Sequence, residues 1–308
     1  MIATTPYPEV TVAGLALGAS FGLLALGLVL IYRTTGVMNF GHWAIGMIGV
    51  VLYTILTTNG FPVHLAVLVS IAVSVIAGVL SYRFVFRWVP RERQIIVILI
   101  AFGIAQLFSS MAQLALRSQS FTLIPGWLPT DRFLVGGATL KANDLVSMAM
   151  AITIAVGFLG WFRLSRTGRA LRAVAQNREA AMLAGIDDVR YSMVAWGIGS
   201  ALAALALLLI IPHRAGAQGG LINTFDLTPL GTLLIPAFGA ALVGGLVNMP
   251  MALAGGALFG LAQSMLILAP SPWSDMRSTI AALLILLLLL LRTERLFTTA
   301  QEREALEG

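Results

Sequence analysis

Residues 163–190 read RLSRTGRALRAVAQNREAAMLAGIDDVR and lie between two apolar runs, 145–162 and 191–211, that are each long enough to cross a bilayer. The segment holds six arginines, which makes it too polar to insert into the hydrocarbon. Its good helix formers predict an ordered helix, with Gly168 ending the incoming span and Gly185 ending the short helix. We therefore predict a surface helix between two membrane spans.

The composition of the 308-residue chain is that of a polytopic membrane protein. Hydrophobic residues make up 58% and charged residues only 10%, whereas a soluble domain usually carries about 25% charged residues. The net charge of +6 comes from basic residues between apolar runs, which predicts membrane orientation rather than nucleic-acid binding. The chain contains no cysteine, which excludes disulfides and thiolate metal sites.

Runs of about 20 apolar residues, the length that crosses a bilayer, divide residues 1–308 into nine candidate spans of a single transmembrane domain. These spans are 11–32, 38–58, 63–82, 94–116, 143–162, 191–211, 230–248, 251–269 and 277–291. We predict an all-α fold of eight or nine transmembrane helices, with the surface helix between the fifth and sixth spans. If 230–269 is instead a re-entrant hairpin around Asn248, eight full-length helices or fewer remain. We expect 298–308 to be a polar tail.

The distribution of basic residues predicts the orientation of these spans. Of the 19 Lys and Arg residues, 14 lie on one side of the membrane, in the turn after the first span, in 83–93, in 163–190 and in the C-terminal tail. The other five lie in the segments on the opposite side. By the positive-inside rule, the first side is cytoplasmic. The N-terminus and the loop 117–142 are then external, and the C-terminus is cytoplasmic.

Several kinds of chemistry are missing from the sequence. The single lysine, Lys141, is not preceded by glycine, which excludes a P-loop, and neither H-E-x-x-H nor G-x-S-x-G occurs. We therefore predict no catalytic residue, no metal site and no cofactor of the chain's own. Ion-coupled carriers usually need a charged group at membrane depth, and almost none is available here. We expect the energy for any transport to come from a partner protein.

Two polar features fall within the apolar spans. The stretch TGVMNFGH, residues 35–42, either opens the backbone so that Asn39 and His42 face a transport path, or is a plain helix start with Asn39 as N-cap. Gln106 and Gln113 share one face of the fourth span, where they either join helices by hydrogen bonds or line a path.

Three stretches together resemble the permease subunits of ABC transporters for branched-chain amino acids, the LivH/LivM type. They are GVMNFGH at 36–42, GRALRAVAQNREAAMLAGI at 168–186 and AALVGGLVNMPMALAGG at 240–256. The chain departs from the family pattern at Trp43, where glycine is usual, and in the turn at 248–251. The resemblance implies an ATP-driven importer of the bacterial inner membrane for branched-chain or other small neutral amino acids. It also implies a second permease chain, two ATPase subunits that bind the ATP, and an external substrate-binding protein.

The resemblance and the polar positions together predict two sets of functional residues. For the substrate pathway these are Asn39, Phe40, His42 and Gln106. For coupling to the ATPase they are Gly168, Arg169, Arg172, Glu179, Ala180, Ala181 and Gly185. An alternative for the second set is a solvated helix attracted to anionic lipid. The alternative for the whole chain is a self-sufficient homo-oligomeric channel or facilitator for small polar solutes such as amides or urea.

Overall fold

A computed structural model describes residues 7–89, 94–117, 126–135, 138–217, 233–271, 276, 279–287 and 290 of the chain. Its α-helices are α1 Tyr7–Thr35, α2 His42–Thr58, α3 Val63–Phe84, α4 Gln94–Arg117, α5 Ala142–Leu164, α6 Arg166–Gln176, α7 Arg178–Leu183, α8 Asp188–Ala217, α9 Leu234–Val243 and α10 Met249–Met265. Residues 279–287 are also helical. Short 3-10 turns follow α3 at Phe86–Trp88 and α10 at Leu266–Leu268.

One antiparallel hairpin interrupts the helices. Strand β1, Arg132–Val135, pairs with β2, Ala138–Lys141, between α4 and α5. Apart from this hairpin and the connecting loops, the described ranges are helical, as the sequence predicts.

Six helices are long and apolar enough to cross a membrane. They are Tyr7–Thr35, Val63–Trp88, Ile95–Leu116, Ala142–Leu164, Asp188–Ile211 and Met249–Leu268. Each matches one of the predicted spans. The chain is therefore a multi-pass membrane protein.

Two of the other predicted spans are shorter than expected. Helix α2 begins at His42 and has 17 residues, because residues 36–41 form an irregular turn. Helix α9 has ten residues, a rise of about 15 Å, roughly half the hydrocarbon thickness. The described part of 230–248 is thus not a full-length span, which supports the re-entrant alternative. The last predicted span, 277–291, lies partly outside the described residues.

Helices α1 and α8 form the centre of the bundle, and both are largely buried. Helix α1 crosses α10 where glycines meet, since a Cβ placed on Gly18 would lie 2.7 Å from the carbonyl oxygen of Gly256. Gly255, on the same helix as Gly256, approaches the carbonyl oxygen of Ala240 on α9 in the same way, at 2.7 Å. Small residues allow this close approach, which replaces the missing hydrophobic drive between helices in lipid.

The ends of the bundle separate two groups of loops. At one end, the Glu9 carboxylate accepts a hydrogen bond from the Thr139 amide at 2.6 Å, and the Trp127 indole donates to the Leu208 carbonyl at 3.0 Å. At the other end, the Arg33 guanidinium lies 5.9 Å from the centre of the Phe162 ring. Residues 126–135 and 138–141 thus lie at the opposite end from the start of 163–190, as the predicted topology requires.

Candidate functional site

The turn between α1 and α2, residues 36–41, is called loop 36–41 below. It leaves α1 through Gly36, which has a left-handed φ of +70°. Asn39 then folds onto its own backbone, since its side-chain oxygen accepts a hydrogen bond from the Gly41 amide at 3.0 Å. Gly41, and not Asn39, occupies the N-cap position of α2. The interpretation of Asn39 as the N-cap of α2 is therefore wrong.

Asn39 and His42 lie inside the chain rather than on its surface. Asn39 is 1% exposed and His42 is fully buried. The Asn39 amide nitrogen has no hydrogen-bond partner among the described residues. The two imidazole nitrogens also lack a partner of normal geometry there, although the Leu24 carbonyl lies close enough to interact. A buried polar group without a hydrogen-bond partner lowers the stability of the fold, so its presence here calls for an explanation.

Gly27 of α1 makes room both for the His42 ring and for the backbone of α8. A Cβ on Gly27 of α1 would lie 2.7 Å from His42 Nε2 and 2.8 Å from the Gly199 carbonyl oxygen of α8. Both distances are too short for a real carbon atom, so a larger residue at Gly27 would displace the imidazole or separate the helices. The ring therefore fixes the start of α2 against α1 and α8.

Phe40 lies on the outer side of this buried pair. Its ring stacks on Phe102 of α4 with a centroid distance of 5.4 Å, and contacts Phe238 of α9 at 5.0 Å. Gly41 packs tightly against α4, since a Cβ there would be 2.6 Å from the Ala101 carbonyl oxygen. Loop 36–41 thus joins α2 to the exposed side of α4.

Helix α4 carries an exposed polar stripe that continues from this contact. Gly103, Gln106, Ser110 and Gln113 are all exposed and follow one helical face. Because both amides lie on the surface, hydrogen bonding to the other described helices does not account for them. An uncovered amide in hydrocarbon costs several kcal/mol, on the order of 4 or more. The stripe therefore needs cover from protein or water.

The segment 163–190 forms two helices, α6 and α7, instead of the single predicted one. Helix α5 ends at Leu164, and the Ser165 hydroxyl caps α6 by accepting a hydrogen bond from the Gly168 amide at 2.8 Å. Gly168 is consequently a buried residue in the first turn of α6 and does not end the incoming span, so that prediction is wrong. The Asn177 side chain caps α7 by accepting from the Ala180 amide at 2.9 Å.

Gly185 ends α7 as the sequence predicts. Its φ is +80°, and its amide donates to the Met182 carbonyl at 2.9 Å. The next amide, of Ile186, donates to the Ala181 carbonyl at 2.9 Å. These two bonds form a Schellman motif, which favours glycine at the left-handed position.

The exposed part of α7 is a small projection, here called the α7 knob: Glu179, Ala180, Met182 and Leu183. Leu183 is 91% exposed and Met182 is 45% exposed. Ala181, by contrast, is buried and packs inward. Sequence analysis missed Met182 and Leu183. Their exposure follows from the buried position of Ala181, since the next two residues on a helix lie away from its buried face.

Arg169 and Arg172 fold back onto α5. The Arg169 guanidinium donates to the Leu164 carbonyl at 3.1 Å. Arg172 donates to the Phe162 carbonyl and, at 3.0 Å, to the Arg163 carbonyl. These are the terminal carbonyls of α5, which lack partners within their own helix. The two arginines therefore brace the corner between α5 and α6.

The α7 knob is also tied to α8. Arg178, the first residue of α7, forms an ion pair with Asp188, the first residue of α8. Asp188 is 6% exposed, so this pair is shielded from solvent more than a surface pair. With the Schellman motif at its other end, α7 is fixed at both termini.

A solved structure shares this arrangement of helices. The chain PsaBC from Streptococcus pneumoniae, in complex with Fab, superposes with a TM-score of 0.52, at 13% identity. The match covers 96% of this chain and 94% of that chain. At this identity the similarity concerns the fold alone.

Sequence similarity is more specific. The chain is 29% identical over 271 residues to the high-affinity branched-chain amino acid transport system permease protein BraD of Pseudomonas aeruginosa, covering 84% of this chain and 85% of BraD. It is 29% identical over 267 residues to LivH of Escherichia coli, covering 82% and 83%. The family described as "Branched-chain amino acid transport system / permease component" matches residues 10–291. The chain therefore belongs to the branched-chain amino acid ABC transporter permease family, as a transmembrane component that is not itself an enzyme.

Proposed function

We propose that this chain is one of two permease subunits of an ATP-driven importer in the bacterial inner membrane. Its cargo is a branched-chain or other small neutral amino acid, delivered by an external binding protein. Two ATPase subunits supply the energy from the cytoplasmic side. The proposal combines the family membership with the geometry of the α7 knob and of loop 36–41.

The α7 knob is the observation that carries the proposal. A partner that moves a membrane protein needs a projection that is exposed and does not yield. Leu183 and Met182 provide apolar contact area, as in the insertion of a helix into a groove. Glu179 and Ala180 are exposed beside them. The ion pair at one end of α7 and the Schellman motif at the other transmit a displacement of the knob to α8.

The distribution of charge supports an external energy source. The buried carboxylates among the described residues are Asp144 and Asp188, and each lies in the first turn of its helix. Both are therefore at span ends. A carboxylate at membrane depth, which proton- and sodium-coupled carriers use, is not found in the described ranges.

The exposed stripe of α4 is the proposed wall of the substrate pathway. A second permease chain covers the stripe, and its polar groups then face an aqueous gap between the two chains. Gln106 is central in the stripe and lies one turn from Phe102, whose ring stacks on Phe40. Phe40 can thus narrow the gap, while Asn39 and His42 hold loop 36–41 from inside.

Reconstitution into liposomes tests the proposal. The chain is purified with candidate ATPase and second permease subunits from the same organism, and uptake of labelled leucine is measured with and without internal ATP. We expect uptake only when ATP and the loaded binding protein are both present. Leucine entry without ATP or ATPase subunits would instead indicate a facilitator and refute the importer. If uptake is ATP-dependent but leucine is not carried, a panel of small neutral amino acids and amides identifies the cargo.

A further inference from the structure

The cytoplasmic-side end of α3 has one face anchored in the bundle and the other exposed. Tyr82 and Phe86 point inward, and their ring centroids lie 5.8 and 4.6 Å from the Trp196 ring of α8. This contact fixes the 3-10 turn after α3. The residues between and beside them consequently point outward, and Phe84 and Trp88 are 70% and 71% exposed.

Two arginines accompany these exposed rings. Arg83 and Arg87 are both exposed, and the Arg87 guanidinium lies 5.0 Å from the centre of the Trp88 ring. Of the carboxylates that the structure describes, none forms an ion pair with either arginine. The surface therefore combines two large rings, Phe84 and Trp88, with two arginines that form no ion pair among the described residues.

The surroundings of this surface are those of a lipid-facing helix. The segment Val63–Trp88 is a candidate membrane span. Only 28% of its apolar 18-residue stretch is buried within the chain. Its exposed apolar side continues without a break through Leu80, one turn before Phe84. A soluble subunit could cover the end of α3, but it could not cover Leu80 within the membrane. The continuity favours lipid as the occupant.

We infer that the end of α3 binds an anionic phospholipid. Arg83 and Arg87 contact the phosphate, because guanidinium groups bind phosphate oxygens with paired hydrogen bonds. Phe84 and Trp88 lie at the boundary between headgroups and acyl chains, where aromatic side chains concentrate. Basic residues at the cytoplasmic surface are attracted to the anionic inner leaflet. This inference rests on the membrane location and the predicted orientation, and does not depend on the cargo or the partners of the chain.

The test is lipid binding to the full chain, purified with any subunits that remain attached. Dioleoylphosphatidylglycerol and dioleoylphosphatidylcholine are titrated separately, and bound lipid is counted by native mass spectrometry. We expect the anionic lipid to bind more tightly, with an affinity that falls as salt rises. The double variant Arg83→Gln/Arg87→Gln should lose on the order of tenfold in affinity for the anionic lipid. Its affinity for the zwitterionic lipid should not change.

Arg166→Gln is the matched control, since Arg166 is exposed but has no exposed aromatic ring beside it in sequence. It should bind the anionic lipid as the wild type does. Wild-type binding by the double variant would overturn the inference. An equal loss in Arg166→Gln would also overturn it, because the effect would then be general surface charge. Cross-linking of Trp88 to an ATPase subunit in place of lipid would show that this surface is a protein interface.

Discussion

Replacing Gly185 by valine should uncouple ATP hydrolysis from transport. At a φ of +80°, a residue with a Cβ costs about 1–2 kcal/mol, and a Cβ at Gly185 has no neighbouring atom within 4 Å. The penalty is therefore backbone strain alone. It shifts the balance between a formed and an unwound helix end by roughly 5- to 30-fold. We expect the α7 knob to lose its fixed position, and leucine uptake to fall by up to that factor.

The assay is uptake and ATP hydrolysis measured on the same liposomes, with Gly60→Val as the matched control. Gly60 has a φ of +79° and also has open space around it, but it lies in the loop between α2 and α3. Its backbone penalty is thus the same, and its uptake should stay near that of the wild type. Gly185→Asn should retain most activity, since asparagine tolerates this conformation. Equal losses in Gly60→Val and Gly185→Val, or no loss in Gly185→Val, would refute the role of α7.

Three further predictions concern the pathway and the topology. Asn39→Leu should abolish uptake while the complex still assembles on size-exclusion chromatography; normal uptake would show that loop 36–41 has only a structural role. Gly27→Ala should reduce uptake in the same assay, because the added Cβ would displace both the His42 ring and the backbone of α8 at Gly199. Wild-type uptake would show that this packing is not required for transport. In this cysteine-free chain, an impermeant thiol reagent on intact cells should label Thr130→Cys but not Ala180→Cys, and the opposite pattern would invert the topology.

The helices and their order could be predicted from hydropathy, because a span needs a long apolar run and the bilayer fixes its length. Hydropathy does not show where a helix ends within such an apolar run. The run 230–248 breaks because Gly245 and Leu246 both adopt positive φ, at 61° and 58°. Nothing in the apolar composition distinguishes a leucine in that conformation from one in a helix.

The candidate site was predictable in its residue types but not in its contacts. The glycine signal at Gly185 was sound, because a left-handed helix end favours glycine whatever surrounds it. The signal at Gly168 was misleading, since a serine cap three residues earlier restarts the helix and the glycine only makes room for Phe162. The packing of the His42 ring against Gly27 could not be predicted, because Gly27 and Gly199 are distant in sequence and meet only in the fold.

The central position of α1 has a consequence for how the protein is made. This helix is synthesised before the other described helices, and its high hydropathy allows it to enter the membrane alone. Its closest partner across the glycine contact, α10, begins only at Met249. During synthesis, the narrow glycine face of α1 must therefore be held by lipid or by an insertion factor until most of the chain exists. We expect nascent chains arrested before Met249 to be inserted but unassembled, and to be degraded by membrane proteases.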